Sequence, residues 1–191
     1  MKCLLCGQTM KTVLTFSSLL LLRNDDSCLC SDCDSTFERI GEENCPNCMK
    51  TELSTRCQDC QLWCKEGVEV SHRAIFTYNQ AMKDFFSRYK FDGDFLLRKV
   101  FASFLSEELK KYKEYQFVVI PLSPDRYANR GFNQVEGLGT ELPFFIKSGV
   151  TIPKKILLID DIYTTGATIN RVKKLLEEAG AKDVKTFSLV R

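Results

Sequence analysis

The chain has 191 residues and a mass of 21.9 kDa, which suits one or two domains, because one hydrophobic core serves roughly 100 to 200 residues. With 44% hydrophobic and 27% charged residues, 10 glycines, 5 prolines and a formal net charge of +2, the composition excludes a disordered or collagen-like chain. The longest largely apolar stretch, Leu14 to Leu22, has nine residues against the roughly 20 that span a bilayer, so no membrane insertion is expected. Met1 to Cys6 carry no secretory signal pattern, and a cytoplasmic location is the expectation.

Ten cysteines stand at positions 3, 6, 28, 30, 33, 45, 48, 57, 60 and 64, and none follows. This sets an expected domain boundary, with a cysteine-rich module over 1–65 and a second domain over 66–191. Eight of the ten form C-x-x-C pairs: Cys3/Cys6, Cys30/Cys33, Cys45/Cys48 and Cys57/Cys60. Two intervening residues let both thiolates of a pair face one point, as tetrahedral zinc requires, so four pairs predict two structural zinc sites. A disulfide framework is the alternative, and it needs an oxidising compartment for which no export signal speaks. Pairing in sequence order is the simplest connectivity, and interleaved pairing remains open. Cys28 and Cys64 are left over, as buried apolar residues or substitute ligands. Residues 1–65 hold seven Lys+Arg against nine Asp+Glu, and residues 66–191 hold 20 against 16. Each zinc held by four thiolates adds a charge of about −2, which turns the whole chain mildly acidic.

The second domain reads as alternating strands and helices. His72 to Tyr78 suggests a strand, Ala81 to Tyr89 a helix with Met82, Phe85 and Phe86 on one side, and Phe95 to Tyr112 a long helix. Phe117 to Ile120 and Ile156 to Ile159 are short apolar runs that suit buried strands. A helix from Thr168 to Ala179 is expected to bury Ile169, Val172, Leu175, Leu176 and Ala179, and to stop at Gly180. Val184 to Val190 supplies the last strand. Strand, helix and strand with continuous apolar strands predict a βαβ unit in a parallel sheet.

In such sheets ligands bind beyond the carboxyl ends of strands. The junction reads Ile156-Leu157-Leu158-Ile159-Asp160-Asp161-Ile162-Tyr163-Thr164-Thr165-Gly166-Ala167-Thr168. Backbone N–H groups, threonine hydroxyls and a helix N-terminus suit a phosphate there, and two carboxylates suit the hydroxyls of a vicinal diol. The pattern describes a ribose 5-phosphate. It is neither a Walker A loop nor a dinucleotide fingerprint.

This string resembles the 5-phosphoribosyl-1-pyrophosphate (PRPP) motif of type I phosphoribosyltransferases. The resemblance implies that Asp160 and Asp161 hold the ribose and carry the chemistry, that Thr164, Thr165, Gly166, Ala167 and Thr168 cradle the 5′-phosphate, and that Mg2+ accompanies the pyrophosphate. Pro121-Leu122-Ser123-Pro124-Asp125-Arg126 and Arg130-Gly131-Phe132-Asn133-Gln134 are similar to the signature of the ComF/ComFC competence family, as are the cysteine-rich start and Tyr89-Lys90-Phe91-Asp92-Gly93-Asp94. By that resemblance Leu122, Ser123 and Arg126 belong to the pyrophosphate loop, and Arg130 is an anion contact. The implied fold is α/β, a type I phosphoribosyltransferase-like parallel sheet with helices on both faces, preceded by a small zinc-ribbon module.

The implied role is the handling of incoming single-stranded DNA in natural transformation beside a ComFA-like ATPase. The alternative is an active Mg-PRPP-dependent transferase with an unknown acceptor. Lys83, Arg88, Lys90, Arg98 and Lys99, interleaved with Tyr89, Phe91, Tyr112 and Tyr115, are the candidate DNA contacts. Only 21 residues separate Gln134 from Ile156, fewer than the resembled family carries there. That bears on turnover, because a mobile loop of such enzymes closes over PRPP from this part of the fold.

Overall fold

The computed structural model describes residues 1–10, 28–92, 94–120 and 151–191. The stretch Leu14 to Leu22, Gly93, the side chain of Phe91, and Leu122, Ser123, Arg126 and Arg130 lie outside the described residues, as does most of the short run after Gln134.

Four parallel strands form one sheet in the order β1–β4–β3–β2: β1 is His72–Phe76, β2 Gln116–Val119, β3 Lys155–Ile162 and β4 Asp183–Val190. The described helices are α1 Ser31–Asp34, α2 Gln58–Lys65, α3 Gln80–Phe91, α4 Arg98–Leu109 and α5 Ala167–Glu178. α3 starts one residue before the expected position because the Asn79 side chain accepts from Met82 N at 3.1 Å, a capping bond that satisfies an orphan N–H. The single helix expected over 95–112 is an α-helix between two 3₁₀ turns, Phe95–Leu97 and Lys110–Tyr112, the tighter form that helix ends adopt when their last groups bond three residues away.

β3 alternates, and the alternation organises both faces. Leu157 and Ile159 join Phe85 of α3, Phe101 and Leu105 of α4, and Phe37 and Phe76 in one apolar cluster. Phe101 anchors it, with ring centroids 4.8 Å from Phe85, 5.0 Å from Phe37 and 5.1 Å from Phe76. Ile156 and Leu158 join Ile169 and Leu176 of α5 in the second cluster. Helices therefore cover both faces. Cys3 and Leu29 belong to the first cluster, and Cys45, Cys48, Cys57 and Cys60 to the second, so the cysteine-rich stretch contributes to both.

Two local expectations need correction. β3 does not stop at Ile159: it runs through both acids to Ile162, because β4 continues to Val190 and offers Ser188 opposite Asp160 and Val190 opposite Ile162. α5 leaves Leu175 63% exposed, Ala179 at its C-cap exposed and Val172 half-buried, and buries Asn170 and Lys173 instead. Leu175 lies about 120° around the helix from Ile169. The buried polar pair finds partners, with Lys173 Nζ donating to Glu69 O at 2.6 Å and Asn170 Nδ2 to the Tyr163 hydroxyl at 3.1 Å.

Candidate phosphosugar site and cysteine clusters

The eight paired cysteines gather in sequence order into two groups, Cys3, Cys6, Cys30 and Cys33, and Cys45, Cys48, Cys57 and Cys60, with the four sulfurs of each group within 4.8 Å of one another. Sulfur separations of 3.7 Å for Cys6 and Cys30, 3.9 Å for Cys45 and Cys60 and 3.5 Å for Cys48 and Cys57 far exceed a disulfide bond. They match the edge of about 3.8 Å of a tetrahedron whose metal–sulfur bonds are about 2.3 Å. Both groups can hold zinc, as a double zinc ribbon does.

The groups share a construction that spacing alone does not reveal. The first pair of each forms a knuckle closed by an isolated bridge, Lys2 to Thr9 in one and Asn44 to Thr51 in the other. The second pair of each begins a helix, with Cys30 at the N-cap position of α1 and Cys57 at that of α2. Burial of Cys45 opposes ionisation, but the N–H groups of Cys57, Cys48 and Asn47 outweigh it and bring the thiol down to about 7. Cys28, half-buried, packs against the first apolar cluster, and Cys64 is exposed; neither joins a four-sulfur group among the described residues.

At the carboxyl end of β3, Asp161 is buried and its Oδ2 forms an ion pair with Lys90 of α3, whose ammonium also lies 4.8 Å above the Phe86 ring. Asp160 Oδ1 accepts from Asp161 N at 2.9 Å, and Asp161 Oδ1 from Ile162 N at 2.8 Å. Burial, then the charge of Asp161, push the Asp160 carboxyl up to about 7, and Lys90 opposes the rise. Thr164, Thr165 and Thr168 are exposed. Gly166 caps α5 at φ 77°, in the left-handed region, and no side chain caps the helix. A left-handed residue followed by a helical one turns successive N–H groups inward as a concave anion nest. The acid pair, the threonine hydroxyls and this nest thus succeed one another from β3 into α5.

The expected DNA contacts divide. Lys83 and Lys99 are exposed, the former 5.9 Å from the Tyr78 ring centre, and Arg98 is half-buried beside Phe95. Arg88 donates to the carbonyls of Leu4 at 3.2 Å and Leu5 at 2.8 Å and pairs with Asp94, while Lys90 is taken by Asp161. Tyr89 is fully buried and cannot stack on a base.

Several residues at the site have no local sequence signal. Tyr163 lies beneath the loop, its ring centroid 3.9 Å from that of His72. His72 is fully buried between Thr186 Oγ1 at 2.9 Å and Ser188 Oγ at 3.0 Å. Both hydroxyls are also within reach of backbone carbonyls, Thr186 Oγ1 of Ser71 O at 3.2 Å and Ser188 Oγ of Val190 O at 2.7 Å. Trp63 on α2 and Arg191 after β4 link the loop to the second cysteine group: Trp63 Nε1 donates to Thr165 O at 2.9 Å, and Arg191 approaches both Cys48 Sγ, at 3.4 Å, and Tyr163 O, at 3.5 Å.

Residues 100–191 match the family described as phosphoribosyl transferase domain. The chain is 86% identical over 220 aligned positions to the competence protein ComFC of Streptococcus pneumoniae (strain ATCC BAA-255 / R6), covering all of both chains. Since 191 residues cannot fill 220 positions, that relative carries residues with no counterpart here. The chain is 32% identical to the competence protein ComFC of Bacillus subtilis (strain 168), covering 99% of this chain and 94% of the relative, and 22% identical to competence protein F of Haemophilus influenzae (strain ATCC 51907 / DSM 11121 / KW20 / Rd), covering 85% and 84%. The parallel sheet, the ribbon cysteines and these identities together mean that the chain belongs to the ComFC family of competence proteins.

Proposed function

We propose that the chain handles incoming single-stranded DNA in the cytoplasm during natural transformation and binds PRPP, or ribose 5-phosphate, at the end of β3. The supporting observation is the continuous run of acid pair, threonine-rich turn and uncapped helix start from Asp160 to Thr168, built about a left-handed glycine. In this reading the loop N–H groups and the hydroxyls of Thr164, Thr165 and Thr168 take the 5′-phosphate, and Asp160 and Asp161 accept from the ribose hydroxyls. Mg2+ on the pyrophosphate of PRPP supplies charge neutralisation. Leu122, Ser123, Arg126 and Arg130 complete the pyrophosphate end. Zinc fills both cysteine groups as a structural ion.

The site is tested by calorimetric titration of zinc-loaded protein with ribose 5-phosphate, and with PRPP with and without Mg2+. Asp160→Asn alone, and Asp160→Asn with Asp161→Asn, should reduce affinity at least tenfold, the equivalent of about 1.4 kcal/mol, with zinc content and circular dichroism unchanged. Undiminished affinity in both variants refutes the assignment. For DNA, the exposed Lys83 and Lys99, with Arg98, support weak phosphate contact. Retention of single-stranded DNA on filters should fall steeply with salt, and a flat response counts against that contact. Among the described residues no helix is long and apolar enough to cross a membrane. A ComFA-like ATPase is assigned to the ribbon surface, where Leu62 of α2 is 51% exposed.

A further inference from the structure

We infer that the second cysteine group sets the shape of the phosphate loop through Trp63, so that metal binding at Cys45, Cys48, Cys57 and Cys60 and phosphosugar binding after β3 are energetically coupled. The inference rests on the phosphosugar reading above and adds a positioning residue that no sequence motif marks. Trp63 follows Cys60 by three residues on α2, which puts both on one helix face. An ion that fixes Cys57 and Cys60 fixes the first turns of α2, and with them the indole. The indole N–H then donates to Thr165 O at 2.9 Å.

The consequence follows from peptide geometry. Thr165 C=O and Gly166 N–H belong to one peptide plane, which is trans, so the two groups point in opposite directions. Tying the carbonyl to Trp63 turns the Gly166 N–H away from the ribbon and keeps the carbonyl oxygen from swinging toward an anion. Gly166 is the residue whose left-handed conformation opens the nest, so the tie acts at the point where the loop is otherwise freest to flip.

A second strut leads from the same cysteines to the other end of the loop. Arg191, its side chain 9% exposed, donates to Cys48 Sγ and Tyr163 O, lies 3.7 Å from Asp59 Oδ2, and covers the Tyr163 ring at 4.9 Å. The helix that follows the loop is fastened to the same side, with Lys173 donating to Glu69 O and Lys174 to Glu66 O. Tyr163, Thr165 and α5 are thus all referred to one frame, and coupling between two sites on one frame is reciprocal.

The chain contains a single tryptophan, so its fluorescence reports on Trp63 alone. Full-length, zinc-loaded protein is titrated with ribose 5-phosphate by calorimetry and by tryptophan fluorescence, with zinc release to a chelator measured at each concentration. The expected result is a fluorescence change with the calorimetric Kd, and slower release of one of two zinc ions as ribose 5-phosphate saturates. Trp63→Phe keeps the ring body and removes the donor; with zinc content intact it should bind ribose 5-phosphate about two- to tenfold more weakly, the range expected for one hydrogen bond. Calorimetric binding with silent fluorescence, unaltered zinc release and an equal Kd in Trp63→Phe overturns the coupling and leaves the sugar site standing. Absence of calorimetric binding overturns the site and the coupling together. If Trp63→Phe loses zinc, the fluorescence and zinc-release measurements on the unsubstituted protein decide.

Discussion

Gly166→Ala tests the loop geometry most directly, and its cost can be built from two parts. At φ 77° an alanine occupies the left-handed region, which costs an L-residue about 1 to 2 kcal/mol. Its methyl would also meet the Tyr163 hydroxyl and Asn170 Nδ2 and come within 2.5 Å of Tyr163 Cζ. Tyr163 is buried against His72 and Asn170 is fully buried, so neither can step aside without disturbing its neighbours, and overpacking of this kind costs about 1 to 3 kcal/mol. The expected destabilisation is therefore about 2 to 5 kcal/mol, read from urea unfolding of the zinc-loaded protein, with ribose 5-phosphate affinity lost as well. In a Tyr163→Leu background the hydroxyl and ring carbon are gone while Asn170 Nδ2 still crowds the methyl, so the cost of Gly166→Ala should fall by part of the overpacking contribution; the difference is the coupling energy of a double-mutant cycle. A cost below about 1 kcal/mol for the single change, or the same cost in both backgrounds, refutes the geometry.

Burial, with the charges of Arg191 and Arg73, holds His72 well below its ordinary pKa, so the unfolded chain takes up a proton that the native state refuses. Stability should fall as pH drops below the ordinary histidine value of about 6.5, and His72→Gln should flatten that limb of a pH series of urea midpoints. Asp160 acts in the other sense: with its carboxyl raised to about 7, its contribution is complete below the ordinary carboxylate range and is lost as pH rises through about 7, so Asp160→Asn should flatten the slope between about pH 4 and 7. Lys90→Met removes the ammonium that favours ionised Asp160. The midpoint for ribose 5-phosphate binding in a calorimetric pH series should then move upward, and an unshifted midpoint would show that Lys90 does not reach the acid pair electrostatically.

The parts of the fold and site that were legible in the sequence are those in which neighbours along the chain are also neighbours in space. Two residues between cysteines fix a knuckle; an apolar run of four marks a strand; a glycine before a helix marks the left-handed turn that starts it. The misses share a different cause. Trp63 and Thr165 are separated by 102 positions, and Arg88 and Leu5 by 83. Lys90 reads equally well as a solvated or DNA-facing lysine until α3 is laid against β3 and its ammonium meets Asp161. Leu175 reads as core because a hydrophobicity pattern cannot tell that Lys173 reaches the Glu69 carbonyl and turns that side of the helix inward. The carboxyl end of β3 reads too short because a strand ends where its partner ends, and that partner is β4, which continues to Val190.

The cysteine groups are built into the core of the sheet domain. A ribbon that merely hung from the sheet would lose its own fold on chelation and little else. Here Cys45, Cys48, Cys57 and Cys60 line the same apolar cluster as Ile156, Leu158 and Ile169, and Cys3 lines the cluster of Phe85 and Phe101. Four thiolates left without their ion would be buried charges or would take up protons, and either change acts on side chains that also support β3 and α5. With zinc in both groups, the acids of β3 and the nest before α5 would rest on a core partly closed by metal, and the proposed ribose 5-phosphate affinity should fall as zinc is stripped; equal calorimetric Kd before and after chelation would refute this dependence.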